Sequence, residues 1–175
     1  MKARTDAAPI ALRAPRVADR PRLAAMVDAA GVFRPDETPI ALEVFDGAVT
    51  APGKDYWAIG AYEGDLLVGW AAFGPTPCTL GTWDLYWIVV DPDRQRDGIG
   101  RRLMAHCERV IGREGGRLVV VETSSRADYT ATRGFYARLG YEPRATVREY
   151  YAPGDDLVVY VKTLGSSRNE KVTHG

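Results

Sequence analysis

The stretch Asp93-Arg94-Gln95-Arg96-Asp97-Gly98-Ile99-Gly100-Arg101-Arg102 holds the residue types that bind an anion. Its two glycines let the backbone approach a ligand closely. Where such a loop opens a helix, successive N–H groups point outward and the helix dipole reinforces them. Arg96 and Arg101 can add charge from the sides. A diphosphate suits this arrangement. A nucleotide P-loop is excluded, because no G-x-x-x-x-G-K-[ST] occurs. The dinucleotide fingerprint G-x-G-x-x-G comes closer, with Gly98 and Gly100 in place and Glu122 about 20 residues after them, where a ribose-binding acid belongs. It fails because Leu103 holds the third glycine position and seven residues, not a tight turn, separate Val90 from Gly98.

Other chemistry-bearing residues are few. Asp84 stands among Trp83, Leu85 and Trp87, and a carboxylate there is costly unless it is paired or functional. Glu122 ends a short apolar run and is the second acidic candidate. Cys107 falls on the apolar face of a helix and reads as core. Cys78 follows Pro75 and Pro77 with no histidine near it, which argues against an activated thiol. His106 and His174 stand alone, so no metal-ligand spacing is present.

The elements that must position these residues follow from hydrophobic period and punctuation. Ile10 to Arg13 is a short strand. A helix starts near Asp19 with Pro21 just inside it, and Gly31 stops it. A second helix begins at about Thr38. Tyr56–Tyr62 and Leu66–Phe73 are β-rich runs around Glu63-Gly64-Asp65, a hairpin loop. Thr82 to Val90 reads as a central strand, aromatic and β-branched almost throughout. Strict alternation would put Asp84, Tyr86, Ile88 and Val90 on one face. A helix opens after Gly98, with Ile99, Leu103, Cys107, Val110 and Ile111 on its apolar side. Leu118–Val121 is a strand, Asp128–Leu139 a helix with Gly140 at its end, and Ala145–Tyr150 and Leu157–Lys162 two last strands. The order β-α-α-β-β-β-α-β-α-β-β predicts an α/β protein with a mixed sheet and helices on both faces. The segment 82–122 should form a right-handed parallel crossover.

The chain has 175 residues, a single domain with its core at about 9–164 and a polar tail, 165–175, expected to be flexible. Its 23 basic and 23 acidic residues cancel, which argues against a nucleic-acid partner or any dominant polybasic surface. No 18-residue apolar run exists to span a membrane. Two cysteines make no disulfide framework, and the cytoplasm is the expected location.

Gln95-x-x-Gly98-x-Gly100, after the strand ending Ile88-Val89-Val90-Asp91-Pro92, resembles the acyl-CoA signature of the GNAT superfamily of N-acyltransferases. Gly134-Phe135-Tyr136-Ala137-Arg138-Leu139-Gly140-Tyr141 is similar to that family's second hallmark, a helix carrying F-Y and ending at G-F or G-Y. The element order resembles the family across roughly residues 9–164, which implies a GNAT-like mixed sheet of about seven strands. The resemblance implies acetyl-CoA as cofactor, its pantetheine arm held by the main chain of Ile88, Val89 and Val90. Its pyrophosphate would lie on Gln95, Arg96, Asp97, Gly98, Ile99, Gly100 and Arg101. An Asn after the next strand often helps in the family; here Thr123-Ser124-Ser125 stands there, and the Ser125 hydroxyl is the expected substitute.

The activity implied is N-acetyl transfer to a primary amine of a small molecule, amino-acid derivative or peptide, by direct attack. Tyr136 matches the family's general-acid tyrosine, which protonates the leaving thiolate. Asp84, Glu122 or a water chain is the base. The resemblance puts Phe33, Arg34, Tyr150 and Tyr151 in loops that border the acceptor groove, and Phe33, Tyr86 and Tyr150 are the expected acceptor contacts; the four loop residues could equally be ordinary surface or contacts in a homodimer. A non-catalytic acyl-CoA-binding module is the alternative, and it would need neither Tyr136 nor a base.

Overall fold

The computed structural model describes residues 9–165, so the expected tail lies outside the described residues beyond Gly165. Seven strands form one sheet in the order β1-β2-β3-β4-β5-β7-β6. β1 (Ile10–Arg13), β2 (Trp57–Glu63), β3 (Leu66–Pro75) and β4 (Thr82–Val90) run antiparallel to one another in succession. β4 and β5 (Leu118–Ser124) are the parallel pair, joined by the crossover helix α3 (Ile99–Arg113). β7 (Asp155–Thr163) then pairs antiparallel with both β5 and β6 (Glu142–Ala152). The mixed sheet and the crossover are as expected.

The two faces carry separate cores. On one side α1 (Arg20–Ala29) and α2 (Glu37–Thr50) bury Leu23, Met26, Val27 and Phe45 against Tyr62, Leu67, Trp70 and Val89. On the other, α3 and α4 (Thr130–Arg138) place Ile99, Leu103, Ile111 and Tyr136 against Phe73, Trp83, Leu85 and Val121. β3 is buried on both faces from Leu67 to Gly74, as its nearly unbroken apolar run requires. No helix among the described residues is long and apolar enough to cross a membrane.

The elements differ from the sequence reading mainly at their ends. A short 3-10 turn, Val17–Asp19, precedes α1, and another, Ala127–Tyr129, precedes α4. Asp19 is buried and accepts a 2.6 Å hydrogen bond from the Tyr62 hydroxyl, tying the start of α1 to β2. β6 runs further in both directions than the expected 145–150, because breaks in its register let it bend past β7.

The alternation expected along β4 does not survive. Ala72 pairs with Trp87 and Phe73 with Leu85, so Tyr86 is an extra residue with no partner on β3. A bulge of this kind resets which side each later residue faces. Trp83 and Leu85 before it, and Ile88 and Val90 after it, all pack toward α3 and α4. Asp84 therefore does not share a face with Ile88 and Val90.

Helix α3 is held in place where β3 has no side chain. A Cβ at Gly69 would stand 2.8 Å from Cγ2 of Ile99 and 3.2 Å from Cδ1 of Leu103. Gly69→Val should cost about 1–3 kcal/mol through overpacking, read as a lower denaturation midpoint. Because Ile99 opens α3 directly after the glycine loop, the same variant should also weaken binding of the acetyl-CoA that the resemblance to the GNAT superfamily implies. Unchanged stability would show that α3 can shift freely.

Candidate active site

The parallel pairing of β4 with β5 covers only Thr82–Leu85 against Leu118–Val121. Beyond that point β4 continues to Val90 bonded to β3, and β5 continues to Ser124 bonded to β7. The two strands part, leaving the facing edge of β4 with unpaired backbone N–H and C=O groups. A cleft of about 1180 Å³ opens at the split, walled by Trp87, Ile88, Val89 and Val90 on one side and Val120, Glu122, Thr123 and Ser124 on the other.

The glycine loop closes one end of this cleft. Asp91 anchors it, accepting from the Asp93 N–H at 2.9 Å and pairing with Arg22 of α1. Arg22 also donates to the Leu67 carbonyl at 3.0 Å, so the loop is fastened to β3. Gly98 caps α3 with φ +77°, a conformation that favours glycine, and Arg96 shares it at +72°. The N–H groups of Gly98, Ile99, Gly100 and Arg101 have no backbone acceptor, as the first turn of a helix dictates. Gly100 lets the loop lie against Phe135, whose ring would stand 3.2 Å from a Cβ there. Gln95, Arg96, Gly98, Ile99, Gly100 and Arg101 all line the cleft. Asp97 does not. Arg94, three residues before it, draws its carboxylate to 3.5 Å.

At the split itself lie two carboxylates and a phenol. Asp84 pairs in register with Val120, and Glu122 follows two residues later on the same face of β5. Burial first, and then the Asp84 charge, push the Glu122 carboxyl above the usual carboxylate range. Asp84 accepts a 2.7 Å hydrogen bond from the Thr76 hydroxyl. Neither carboxylate is ion-paired among the described residues. Tyr136 lines the cleft from α4, its ring buried between Phe135, Tyr141 and Tyr160. Burial keeps this phenol protonated well above its usual range, and its hydroxyl has no hydrogen-bond partner among the described residues.

The far end is aromatic and acidic. Phe33 packs against Trp87 with the rings tilted at 51° and 5.0 Å between ring centres, and Tyr86 meets Tyr56 edge to face at 5.4 Å. Both Phe33 and Tyr86 line the cleft, as expected. Tyr150 does not; it is 57% exposed on the outer side of β6. The register between β6 and β7 breaks between Val147 and Ala152, with Glu149 at φ +51°, and this turns Tyr151 inward instead. Burial, and after it the Glu122 charge, push the Tyr151 phenol up to about 12.

These features agree with the comparisons with known proteins. The profile of the Acetyltransferase (GNAT) domain matches residues 53–143. N-alpha-acetyltransferase RimI of Mycobacterium tuberculosis is 32% identical over 149 residues, covering 83% of this chain and 87% of that protein. The chain belongs to the GNAT acetyltransferase family. A GNAT-family protein from Desulfovibrio desulfuricans has a structure with TM-score 0.85 and 36% identity, covering 90% of this chain and 100% of that one. The [ribosomal protein bS18]-alanine N-acetyltransferase of Escherichia coli is 37% identical over 86 residues, 49% of this chain and only 56% of that enzyme. The chain thus matches a little over half the length of that curated relative.

Two residues that line the GNAT cleft were not chosen by sequence reasoning, which named Thr123 only within Thr123-Ser124-Ser125. The first is Arg126, which donates to the Val32 carbonyl at 2.7 Å and to Asp128 at 3.1 Å, tying the α1–α2 loop to the β5–α4 connection. The second is Thr123. Ser125, the expected hydroxyl, does not line the cleft, because its oxygen accepts from the Asp156 N–H at 2.8 Å. Strand alternation beside Val119 and Val121 was the signal that could have pointed to Thr123.

The loop makes a direct prediction. Gly98→Val forces a β-branched residue into a left-handed conformation that such residues resist. The fold should persist while acetyl-CoA affinity falls at least tenfold, measured by titration calorimetry. Equal affinity in a folded variant would remove the loop from cofactor binding.

Proposed function

We propose that this GNAT protein transfers an acetyl group from acetyl-CoA to a primary amine by direct attack. The observation that carries the reading is a parted strand pair whose split faces a phenol and an unpaired carboxylate beside a helix end with four unpartnered N–H groups. Acetyl-CoA supplies a thioester. Its diphosphate fits the N–H groups of Gly98 to Arg101, with Gln95, Arg96 and Arg101 at the sides. Its arm fits the free edge of β4 at Ile88, Val89 and Val90.

Glu122 is the favoured base. It stands at the first unpaired position of β5, and its raised carboxyl range suits a group that must accept a proton near neutral pH. Asp84 lies within the paired part of β4, held by Thr76, and acts on Glu122 through its charge. Tyr136 keeps its proton throughout the neutral range and would be the residue to donate it to the sulfur of the departing thiolate.

The acceptor end supports a cationic amine. Glu37, Asp84, Glu122, Asp128 and Asp155 line the cleft together with Arg34 and Arg126, whereas Arg96 and Arg101 belong to the glycine loop and Arg94 there is already paired with Glu63 and Asp97. A carboxylate beside the reacting nitrogen would meet repulsion there. Relatives named for N-alpha-acetylation and for acting on an alanine of ribosomal protein bS18 support peptide α-amines among the acceptors.

Release of free thiol from acetyl-CoA, assayed with peptides, diamines and free amino acids, tests the reaction. Peptide or diamine turnover should exceed that of free amino acids at least tenfold; equal rates would overturn the acceptor assignment. Tyr136→Phe and Glu122→Gln should each lower kcat on the order of 10²–10⁴-fold. An undiminished kcat in either would remove that residue from the chemistry. The pH profile separates the two carboxylates. A base with a raised pKa is lost as pH falls through that value, so kcat/KM should drop on the acid side. Asp84→Asn removes a charge that raises Glu122, so the drop should move to lower pH. A profile that stays in place would exclude the coupling.

A further inference from the structure

Three successive hydroxyls, Thr123 and Ser124 at the end of β5 and Ser125 just past it, are treated differently by the structure. Ser124 Oγ donates to Asp155 at 2.5 Å and accepts from the Arg126 N–H at 3.0 Å. Ser125 Oγ accepts from the Asp156 N–H at 2.8 Å. Asp155 and Asp156 open β7, and both serine hydroxyls are satisfied. Thr123 Oγ1 is buried with no hydrogen-bond partner, on a residue only 4% exposed. A buried hydroxyl left unsatisfied is costly, and few survive in folded proteins.

Its position says what can satisfy it. Thr123 lies past Val121, the last β5 residue paired with β4, so it stands where the two strands have already parted. It lines the cleft. By alternation it faces the same side of the sheet as Val119 and Val121, which pack in one cluster with Tyr136. Glu122, its neighbour, faces the opposite side with Asp84. The hydroxyl therefore meets the cleft from the side of the phenol rather than from that of the carboxylates.

We propose that the Thr123 hydroxyl positions the acyl-bearing arm of the cosubstrate, completing its hydrogen bonding only when an amide or thioester oxygen of that arm enters the split. This rests on the acetyl-CoA reading above. The ligand-free protein carries the cost of the unpaired group, and the complex recovers it. Thr123 is a positioning residue: it fixes where the thioester lies relative to Tyr136 and takes no proton itself.

The substitution Thr123→Val tests this, because it keeps the shape and removes only the hydroxyl. Without ligand the variant should melt at the same temperature as the parent or higher, since no hydrogen bond is lost. Its affinity for acetyl-CoA and for CoA should fall about five- to tenfold, the size of one hydrogen bond. Affinity for adenosine 3′,5′-bisphosphate, which lacks the arm, should not change, and Thr123→Ser should restore acetyl-CoA binding. A melting temperature several degrees lower without ligand would make Thr123 a packing residue and overturn the proposal. So would wild-type affinity for acetyl-CoA in Thr123→Val, or equal losses for the bisphosphate and acetyl-CoA. If the parent protein itself binds no acetyl-CoA, the functional reading fails and this inference falls with it.

Discussion

The site depends on one interrupted ladder. Two parallel strands at the centre of a sheet would normally bond along their full length, and β4 and β5 stop after Leu85 and Val121. The interruption is tolerable because each strand keeps its other edge: β4 stays bonded to β3, and β5 to β7 as far as Ser124. Only the facing edges lose partners. A ligand with amide groups of its own can replace the missing bonds, which makes the middle of the sheet a place to bind an extended molecule.

The bulge at Tyr86 and the split act together. The extra residue lets Trp83 and Leu85 fill the core under α3 while Ile88 and Val90 continue to do so after it. It also leaves Asp84 and Glu122 on the face opposite to Ile88 and Val90. The acidic, aromatic end and the basic loop end thus sit in one cleft and still present different chemistry. One chain with equal numbers of acids and bases separates its charges over a short distance.

Much of this was legible in the sequence, for local reasons. The strand Thr82–Val90 was read with its ends correct because its run is β-branched and aromatic and Gly81 and Pro92 bound it. Gly98 and Gly100 revealed the loop because only a close approach or a left-handed turn needs glycines there. What escaped depended on partners far along the chain. The facing of Asp84 hinged on a pairing with β3. Of Tyr150 and Tyr151, both expected beside the acceptor groove, the register break with β7 leaves only Tyr151 lining the cleft, and Ser125 was claimed by a backbone N–H at Asp156. Asp97 is the exception: Arg94 lies three residues away, and the pair could have been suspected from spacing alone.

The fastening of the glycine loop has a thermodynamic meaning. Arg22 binds both Asp91 and the Leu67 carbonyl, and Asp91 in turn holds the Asp93 N–H, so the chain entering the loop is fixed before any ligand arrives. Ordering a loose segment on association costs about 0.5–1.5 kcal/mol for each immobilised side chain. A segment already ordered escapes that loss. A ligand at this end of the cleft would then carry no ordering cost for the fastened segment, and the heat-capacity change on binding would report buried apolar surface rather than folding of that segment.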